Sequence, residues 1–268
     1  MSAAAHGVEP EPEPDRPAEF VQSLERGLAV IRAFGHDTPR MTLSDVARVT
    51  GMTRAAARRF LLTLEHLGYV GSDGRHFHLR PRVLELGYAY LSSFTVAEVA
   101  QDHLEQLANT LHESCSASVL DGTDIVYVAR AATNRIMTVA LSVGARLPAY
   151  CTSMGRVLLA ALPEVEFERY LATADLDART ERTVVDANDL RALIAQVREQ
   201  GWCLQDQELE DGVRSLAVPL HDADGRVIAA ANISAHAARV SLTDLRGSIL
   251  PQLRACAEAI DADLRGRR

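Results

Sequence analysis

The stretch MTLSDVARVTGMTRAAARRFLLTLEHLGYVGSDGRHFHL, residues 41–79, carries the clearest structural pattern in this chain. Thr42 and Asp45 form a variant of the capping box, with Asp in place of Glu, and this pair predicts the start of a short helix. A tight turn follows, and Thr53 then caps a longer helix that stops at the cap residue Gly68. The segment therefore predicts two helices joined by a turn.

Two short strands, residues 69–71 and 76–79, are predicted after these helices, joined by the turn sequence Ser-Asp-Gly-Arg at 72–75. A further helix with an apolar face is predicted before the helix pair, and it ends near Gly35. The members of that face are Leu24, Leu28, Ile31 and Phe34. A helix, a helix–turn–helix and a β-hairpin in this order predict a winged helix–turn–helix.

The third predicted helix has one apolar and one basic face. In this motif the second helix of the helix–turn–helix enters the major groove, and its N-terminal residues reach the base edges. An arginine there can donate two hydrogen bonds to guanine. The apolar face is predicted to contain Ala56, Ala57, Phe60, Leu64 and Leu67. The predicted DNA-binding residues are Thr42, Thr53, Arg54, Ala55, Arg58, Arg59 and, at the hairpin tip, Arg75.

Two other interpretations of this module remain open. The arginines are also compatible with an amphipathic helix whose basic face is simply hydrated. Alternatively, the winged module binds another protein, in which case partner binding would survive loss of Arg54, Arg58 and Arg59. The capped helix pair, the turn and the hairpin occurring in the right order favour DNA binding.

Charge is unevenly distributed along the 268 residues, whose net charge is −8. Residues 20–92 contain ten arginines and six acidic residues, whereas residues 93–268 contain seventeen and twenty-five. A basic module on an acidic body is typical of proteins that contact a polyanion through one part only. The chain has no lysine, which excludes P-loop and Schiff-base chemistry that depends on that side chain.

The pattern of elements predicts an α+β protein with four parts: an acidic, proline-rich disordered tail (1–19), a winged helix–turn–helix (20–80), a linker helix (81–95) and a larger domain on a mostly antiparallel sheet (96–268). In the larger domain we predict strands near 116–120, 125–131, 137–141, 202–206, 213–220 and 226–234. Helices are predicted near 96–113, from about 153, near 164–172, 188–200 and 242–264.

Three stretches of the chain resemble the IclR-type regulators: Ser-Leu-Glu-Arg-Gly-Leu at 23–28, the segment from Leu61 to Val70, and Leu-Pro-Ala-Tyr-Cys-Thr-Ser-Met-Gly-Arg-Val-Leu-Leu-Ala at 147–160. The last of these, with Arg-Ile-Met-Thr at 135–138, resembles the branch that controls aromatic-acid catabolism through protocatechuate and β-ketoadipate. The resemblance covers nearly everything after the tail. It implies a GAF-like effector domain and dimers, or dimers of dimers, on partly palindromic operators.

The loop at 144–155 is the best candidate for an effector site, because it ends at a predicted helix start that is hospitable to a carboxylate. The hydroxyls of Thr152 and Ser153 add donors there. The resemblance implies further pocket positions elsewhere. The full predicted set is Ile136, Thr152, Ser153, Met154, Gln205, Ser215, Asn232 and Ser234. Where relatives that bind small oxoacids have an acid this chain has Gln205, a change that removes a charge which would repel an anion. The expected ligand is a carboxylated aromatic or its ring-cleavage product.

An enzyme is the alternative from another class: a small-molecule hydrolase that uses Cys151 or Ser153, with the N-terminal module as an accessory. No histidine stands at a spacing that identifies a catalytic pair, so we predict no catalytic residues. The scattered cysteines, Cys115, Cys151, Cys203 and Cys256, indicate reduced thiols of a cytoplasmic protein. No metal, cofactor or membrane contact is predicted; His76 and His78 are more simply explained as surface residues.

Subunit pairing is expected because one recognition helix spans only a few base pairs, and a two-fold operator needs a two-fold protein. Two apolar faces are candidates for that contact, one on the first helix and one on the linker helix. They contain Leu24, Leu28 and Ile31, and Leu84, Tyr88 and Leu91. Packing of these faces within one subunit is equally compatible with the pattern.

Overall fold

The computed structural model describes residues 17, 19–35, 37–93, 95–133 and 141–266. The chain divides into two compact units, Met1–Ala89 and Tyr90–Arg268. The boundary falls inside the segment predicted as a linker helix. Most of the predicted tail, and Ile136 of the predicted effector set, lie outside the described residues.

Three helices and a small sheet form the N-terminal unit. The helices are α1 (Gln22–Arg32), α2 (Leu43–Val49) and α3 (Arg54–His66). The predicted capping box is present at α2, where the Thr42 hydroxyl accepts from the backbone of Asp45 and the Asp45 carboxylate accepts from the backbone of Thr42. At the end of α3, Gly68 has φ +83°, a conformation that favours glycine.

The core of this unit is formed by the inner sides of the three helices, with Val30, Val46 and Leu61 fully buried. The apolar face of α3 is rotated slightly from the prediction: Ala57, Leu61 and Leu64 are buried, whereas Leu67 is exposed. The predicted face was centred on Phe60, one residue away from the observed centre. The arginine side of α3 is unaffected by this difference.

The wing is a three-stranded antiparallel sheet in the order β1–β3–β2, with β1 at Met41–Thr42, β2 at Val70–Ser72 and β3 at His76–Leu79. The hairpin agrees with the prediction to within one residue. Strand β1 is too short to show alternation in the sequence and was not predicted. After the wing, a 3-10 turn (Pro81–Val83) leads into helix α4 (Leu84–Ser93).

A six-stranded antiparallel sheet organises the C-terminal unit, in the order β6–β5–β4–β9–β8–β7. Its strands are β4 (Ser114–Asp121), β5 (Asp124–Ala131), β6 (Arg146–Pro148), β7 (Cys203–Asp206), β8 (Val213–His221) and β9 (Val227–His236). Strand β6 was not predicted. The predicted strand at 137–141 lies outside the described residues except for Leu141, which is not in a strand.

Helices cover both faces of this sheet. They are α5 (Thr95–Leu111), α6 (Ser153–Ala161), α7 (Glu164–Thr173), α8 (Ala187–Gln200), α9 (Leu242–Asp244) and α10 (Leu250–Gly266), with a π-turn at Leu245–Ile249 between the last two. One apolar core lies between the sheet and α5 with α10, and a second lies between the sheet and α6, α7 and α8. The predicted α+β class with a winged helix–turn–helix and an antiparallel sheet domain is confirmed.

Candidate DNA-binding surface and effector site

The basic side of α3 is exposed along the first two turns of the helix. Arg54, Ala55, Arg58 and Arg59 are all in contact with solvent, and the buried residues lie on the opposite side. None of these arginines has an ion-pair partner among the described residues. Three free guanidinium groups at the start of a helix, beside a small alanine, form a surface that accepts a polyanion closely.

Capping threonines hold both helices of the motif. The Thr53 hydroxyl accepts a hydrogen bond from the Ala56 backbone at 3.2 Å. The Thr42 hydroxyl donates to a carboxylate oxygen of Asp45 at 2.7 Å, so it is already engaged within the protein. Both threonines stay predicted DNA contacts, but Thr53 is exposed and Thr42 is only half-exposed.

The tip of the wing presents Arg75 to solvent. Its turn is held by Asp73, which accepts from the backbone of Arg75 at 3.0 Å and of His76 at 2.7 Å. These backbone hydrogen bonds hold the pKa of Asp73 at about 2. Asp73 also accepts from Arg40 at 3.2 Å, so the wing is tied to the segment that precedes β1.

The effector residues predicted from the sequence come together in the C-terminal unit, apart from Ile136, which is not described. Seven of them line one cavity between α6 and the sheet. They are Thr152, Ser153, Met154, Gln205, Ser215, Asn232 and Ser234. All seven are buried, although they come from four different elements and span more than eighty positions of the chain.

Strand register explains how the four sheet positions meet. Gln205 pairs with Ser215 across β7 and β8, and Ser215 pairs with Ser234 across β8 and β9. Residues directly opposite each other in an antiparallel sheet point to the same face. Asn232 is two residues before Ser234, so it shares that face and its amide donates to the Ser234 hydroxyl at 3.2 Å.

The opposite wall is the start of α6. Thr152 caps the helix and accepts from the Gly155 backbone at 3.1 Å. A Cβ atom at Gly155 would overlap the backbone of Ala149, so only glycine lets the preceding loop fold against the helix start. The Gly155 N–H is thus occupied by the cap, and the N–H groups of Ser153 and Met154 lie at the positive dipole end of the helix.

Two buried polar atoms of the cavity residues have no hydrogen-bond partner among the described residues: Ser153 Oγ and Asn232 Oδ1. The cavity lining contains no charged side chain. Its volume is about 20 Å³, room for a single water molecule, so a larger ligand enters only if lining side chains move. Met154 is the most adaptable of them, and its sulfur accepts from Ser118 at 3.2 Å.

Three further lining residues, Tyr127, Leu209 and Val213, escaped the sequence analysis. Burial raises the pKa of the Tyr127 phenol to about 12, while the positive charge of Arg130 opposes that rise. The continuous apolar run of β5 indicates a buried strand, but nothing in the sequence indicates which core Tyr127 faces.

The hydrolase alternative finds little support in the geometry. Cys151 is fully buried, and burial raises the pKa of its thiol to about 11, so it is protonated at neutral pH. The Ser153 hydroxyl has no base within hydrogen-bonding distance among the described residues. Those residues also contain no group of three or more side chains arranged to hold a metal ion.

Comparison with known proteins identifies the family. Residues 23–74 match the IclR helix-turn-helix domain, and residues 88–262 match the bacterial transcriptional regulator IclR C-terminal domain. The chain belongs to the IclR family. It is therefore a DNA-binding transcription regulator, and the family indicated by the sequence resemblance is confirmed. Within the described residues, no helix is long and apolar enough to span a lipid bilayer.

Three proteins are similar to this chain over most of its length. The Pca regulon regulatory protein of Pseudomonas putida is 51% identical over 249 residues, covering 92% of this chain and 86% of that protein. The crystal structure of a transcriptional regulator from Rhodococcus sp. RHA1 is 57% identical, with a TM-score of 0.82, covering 93% of this chain and all of that one. An IclR homologue from Microbacterium hydrocarbonoxydans in complex with 4-hydroxybenzoate is 26% identical, with a TM-score of 0.78. The match covers 91% of this chain and 99% of that one.

Proposed function

We propose that this regulator reads its operator with the arginine face of α3 and responds to an aromatic acid, or the ring-cleavage product of one, bound in the cavity beside α6. The observation that carries the proposal is the meeting of seven predicted positions around one neutral cavity with unpaired polar atoms. The similarity to a homologue that holds 4-hydroxybenzoate supports the aromatic class.

The ligand's polar groups match the cavity. A carboxylate is stabilised by the first-turn N–H groups of α6, and by the Ser153 hydroxyl, which has no internal partner. A ligand hydroxyl can donate to the unpaired Asn232 oxygen. Gln205, in place of an acid, leaves the cavity without a negative charge to repel an anion.

We further propose that the protein acts as a homodimer or a dimer of dimers on a partly palindromic operator, in the cytoplasm where the DNA is. Apolar side chains on α1 and α4 support subunit pairing, because they are exposed in the single chain: Leu24 by 63%, Leu84 by 71% and Tyr88 by 70%. Packing of these faces within one subunit remains the alternative. Leu28 is exposed as well, whereas Ile31 is partly buried.

We propose no catalytic role for the chain. A hydrolase using Cys151 or Ser153 needs a reactive thiolate or an activated hydroxyl, and the raised thiol pKa and the absence of a described base at Ser153 argue against both. Turnover of a candidate ester that disappears in Cys151→Ala would support the enzyme instead.

A gel-shift titration with the DNA upstream of the protein's own gene tests the proposal. We expect a specific shift at moderate salt, and a change in its midpoint when 4-hydroxybenzoate, protocatechuate or 3-oxoadipate is added. Absence of a specific shift contradicts the DNA-reading role. A specific shift that none of these acids alters contradicts the proposed effector class.

A further inference from the structure

Arg130, in strand β5, is a partly buried cation without a counter-ion. Its Nε atom is buried and has no hydrogen-bond partner, and one terminal nitrogen donates to the Ser116 hydroxyl at 3.2 Å. Among the described residues it forms no ion pair. The partly buried Arg214, in contrast, binds the carboxylate of Asp206.

Apart from the acidic tail at 1–16, the undescribed parts of the chain offer no acidic side chain for Arg130. Residues 134–140, which follow β5 closely, contain no Asp or Glu, and neither do positions 94 and 267–268. An unpaired charge removed from water is costly, so proteins rarely retain one unless something pairs with it. No described residue supplies this partner, which points to a ligand as the counter-ion of Arg130.

Strand pairing directs Arg130 toward the effector cavity. Ser116 of β4 lies between two partners, Arg130 on β5 and Asn232 on β9, so the three side chains share one face of the sheet. Asn232 lines the cavity, and its unpaired oxygen is on that face. The guanidinium contacts Ser116 on β4, and the next strand, β9, carries the cavity residue Asn232.

A bulge in the β4–β5 pair strengthens this link. The register shifts between Ala117 and Ser118, so that Ser116 faces Arg130 while Ser118 faces Tyr127. In a regular strand, side chains three positions apart point to opposite faces, but the extra residue of the bulge puts Tyr127 and Arg130 on the same one. The charge of Arg130 acts on the Tyr127 phenol, which lines the cavity.

We infer that Arg130 binds a carboxylate of the effector at the Ser116–Asn232 side of the cavity, and that it selects anionic ligands over neutral ones. A ligand with a single carboxylate then places its hydroxyl, and not its carboxylate, at the start of α6. The inference rests on the proposed function, because it concerns the same site. It adds a cation to a lining that is otherwise uncharged. A guanidinium presents a planar pair of donors that matches a carboxylate, which the helix start alone does not.

Calorimetric titration of the full-length protein tests the inference. The ligands are 4-hydroxybenzoate, protocatechuate, 3-oxoadipate and the neutral analogue 4-hydroxybenzamide. In Arg130→Gln we expect the bound acid to lose roughly tenfold to a hundredfold in affinity, as for a lost charge-assisted hydrogen bond, with partial recovery in Arg130→Lys. Affinity for the amide should not change. Arg169→Gln, on the exposed side of α7, is the matched control and should bind as the wild type does.

The stability of the ligand-free protein supplies a second readout. Because its charge is unpaired, we expect Arg130→Met to keep or raise the thermal midpoint, whereas a structural arginine would lower it. Wild-type acid affinity in Arg130→Gln, or a lower midpoint in Arg130→Met, overturns the inference and leaves the proposed function standing. If none of the acids binds the wild type, the proposed effector class fails and the inference fails with it.

Discussion

The guanidinium of Arg156 donates to both carboxylate oxygens of Glu208, at 2.6 and 2.5 Å, and also to the Tyr150 carbonyl at 2.7 Å. Glu208 in turn accepts from the Val184 backbone at 3.2 Å. Arg156 is only 2% exposed. This buried pair therefore joins α6 and the loop before it, the segment before α8, and the connection between β7 and β8. The start of α6 and the β7–β8 connection both contribute residues to the cavity lining.

Loss of the Arg156 charge should destabilise the protein strongly. Arg156→Met removes the cation beside the mostly buried carboxylate of Glu208, for which we expect a loss of roughly 3–5 kcal/mol in the free energy of unfolding, measured by urea denaturation. The control is Arg191→Met, which breaks a solvent-exposed pair with Glu168 and should cost less than about 1 kcal/mol. Similar losses of unfolding free energy in the two variants would show that the buried pair stabilises the fold no more than an exposed pair does.

Glycine at position 155 should be irreplaceable, because a Cβ atom there meets the backbone of Ala149. We expect Gly155→Ala to lower the thermal midpoint sharply and to abolish effector binding. Gly247→Ala adds the same methyl group to a helical position with nothing within 4 Å, and should be neutral or stabilising by up to about 1 kcal/mol. A tolerated alanine at 155 would mean that the loop packs differently.

Substitution of an arginine on the exposed face of α3 should weaken DNA recognition without affecting the C-terminal unit. Arg58→Ala should weaken specific operator binding by ~1–3 kcal/mol and leave effector affinity unchanged. Fluorescence anisotropy with specific and scrambled DNA measures both the loss and the specificity. Arg169→Ala, a charge-matched change in the C-terminal unit, is the control. Equal wild-type affinity for both DNAs would refute base reading by α3.

Met154 should determine how large a ligand the cavity admits. It is 1% exposed and lines a cavity of about 20 Å³. Met154→Ala removes side-chain volume from that wall, so we expect bulkier aromatic acids to bind better, at a cost of roughly 2–5 kcal/mol in unfolding free energy. Calorimetry with 4-hydroxybenzoate and naphthoate measures the change in preference. An unchanged order of affinities would place the ligand elsewhere.

The buried cysteine thiols should react slowly with alkylating reagents at neutral pH. Burial raises the pKa of Cys151, Cys203 and Cys256 to about 11, so their reactive thiolates accumulate only as the pH approaches that value. We expect native protein at pH 8 to resist iodoacetamide and the urea-unfolded chain to react at all four cysteines, as followed by mass spectrometry. Rapid native labelling of Cys151 would revive the nucleophile hypothesis.

Local patterns sufficed for most of the architecture. The capping box at Thr42, the cap at Thr53 and the hairpin turn at 72–75 are short-range signals, and each appears in the structure where it was predicted. Strands β1 and β6 were missed because two or three residues carry no alternation. The rotation of the α3 face, centred on Leu61 rather than Phe60, reflects packing against α1 and α2 that a single-helix projection omits.

The amino-acid sequence alone thus determined the winged module, its exposed arginines and, through the family resemblance, seven residues of one cavity. Only the tertiary structure decided what depends on contacts between distant segments. Examples are the pairing of Arg156 with Glu208, the closeness of Gly155 to Ala149, and the β-bulge that turns Arg130 toward the cavity side. Periodicity reports which face of an element is apolar, but strand register and loop closure decide which polar groups meet and which stay unpaired.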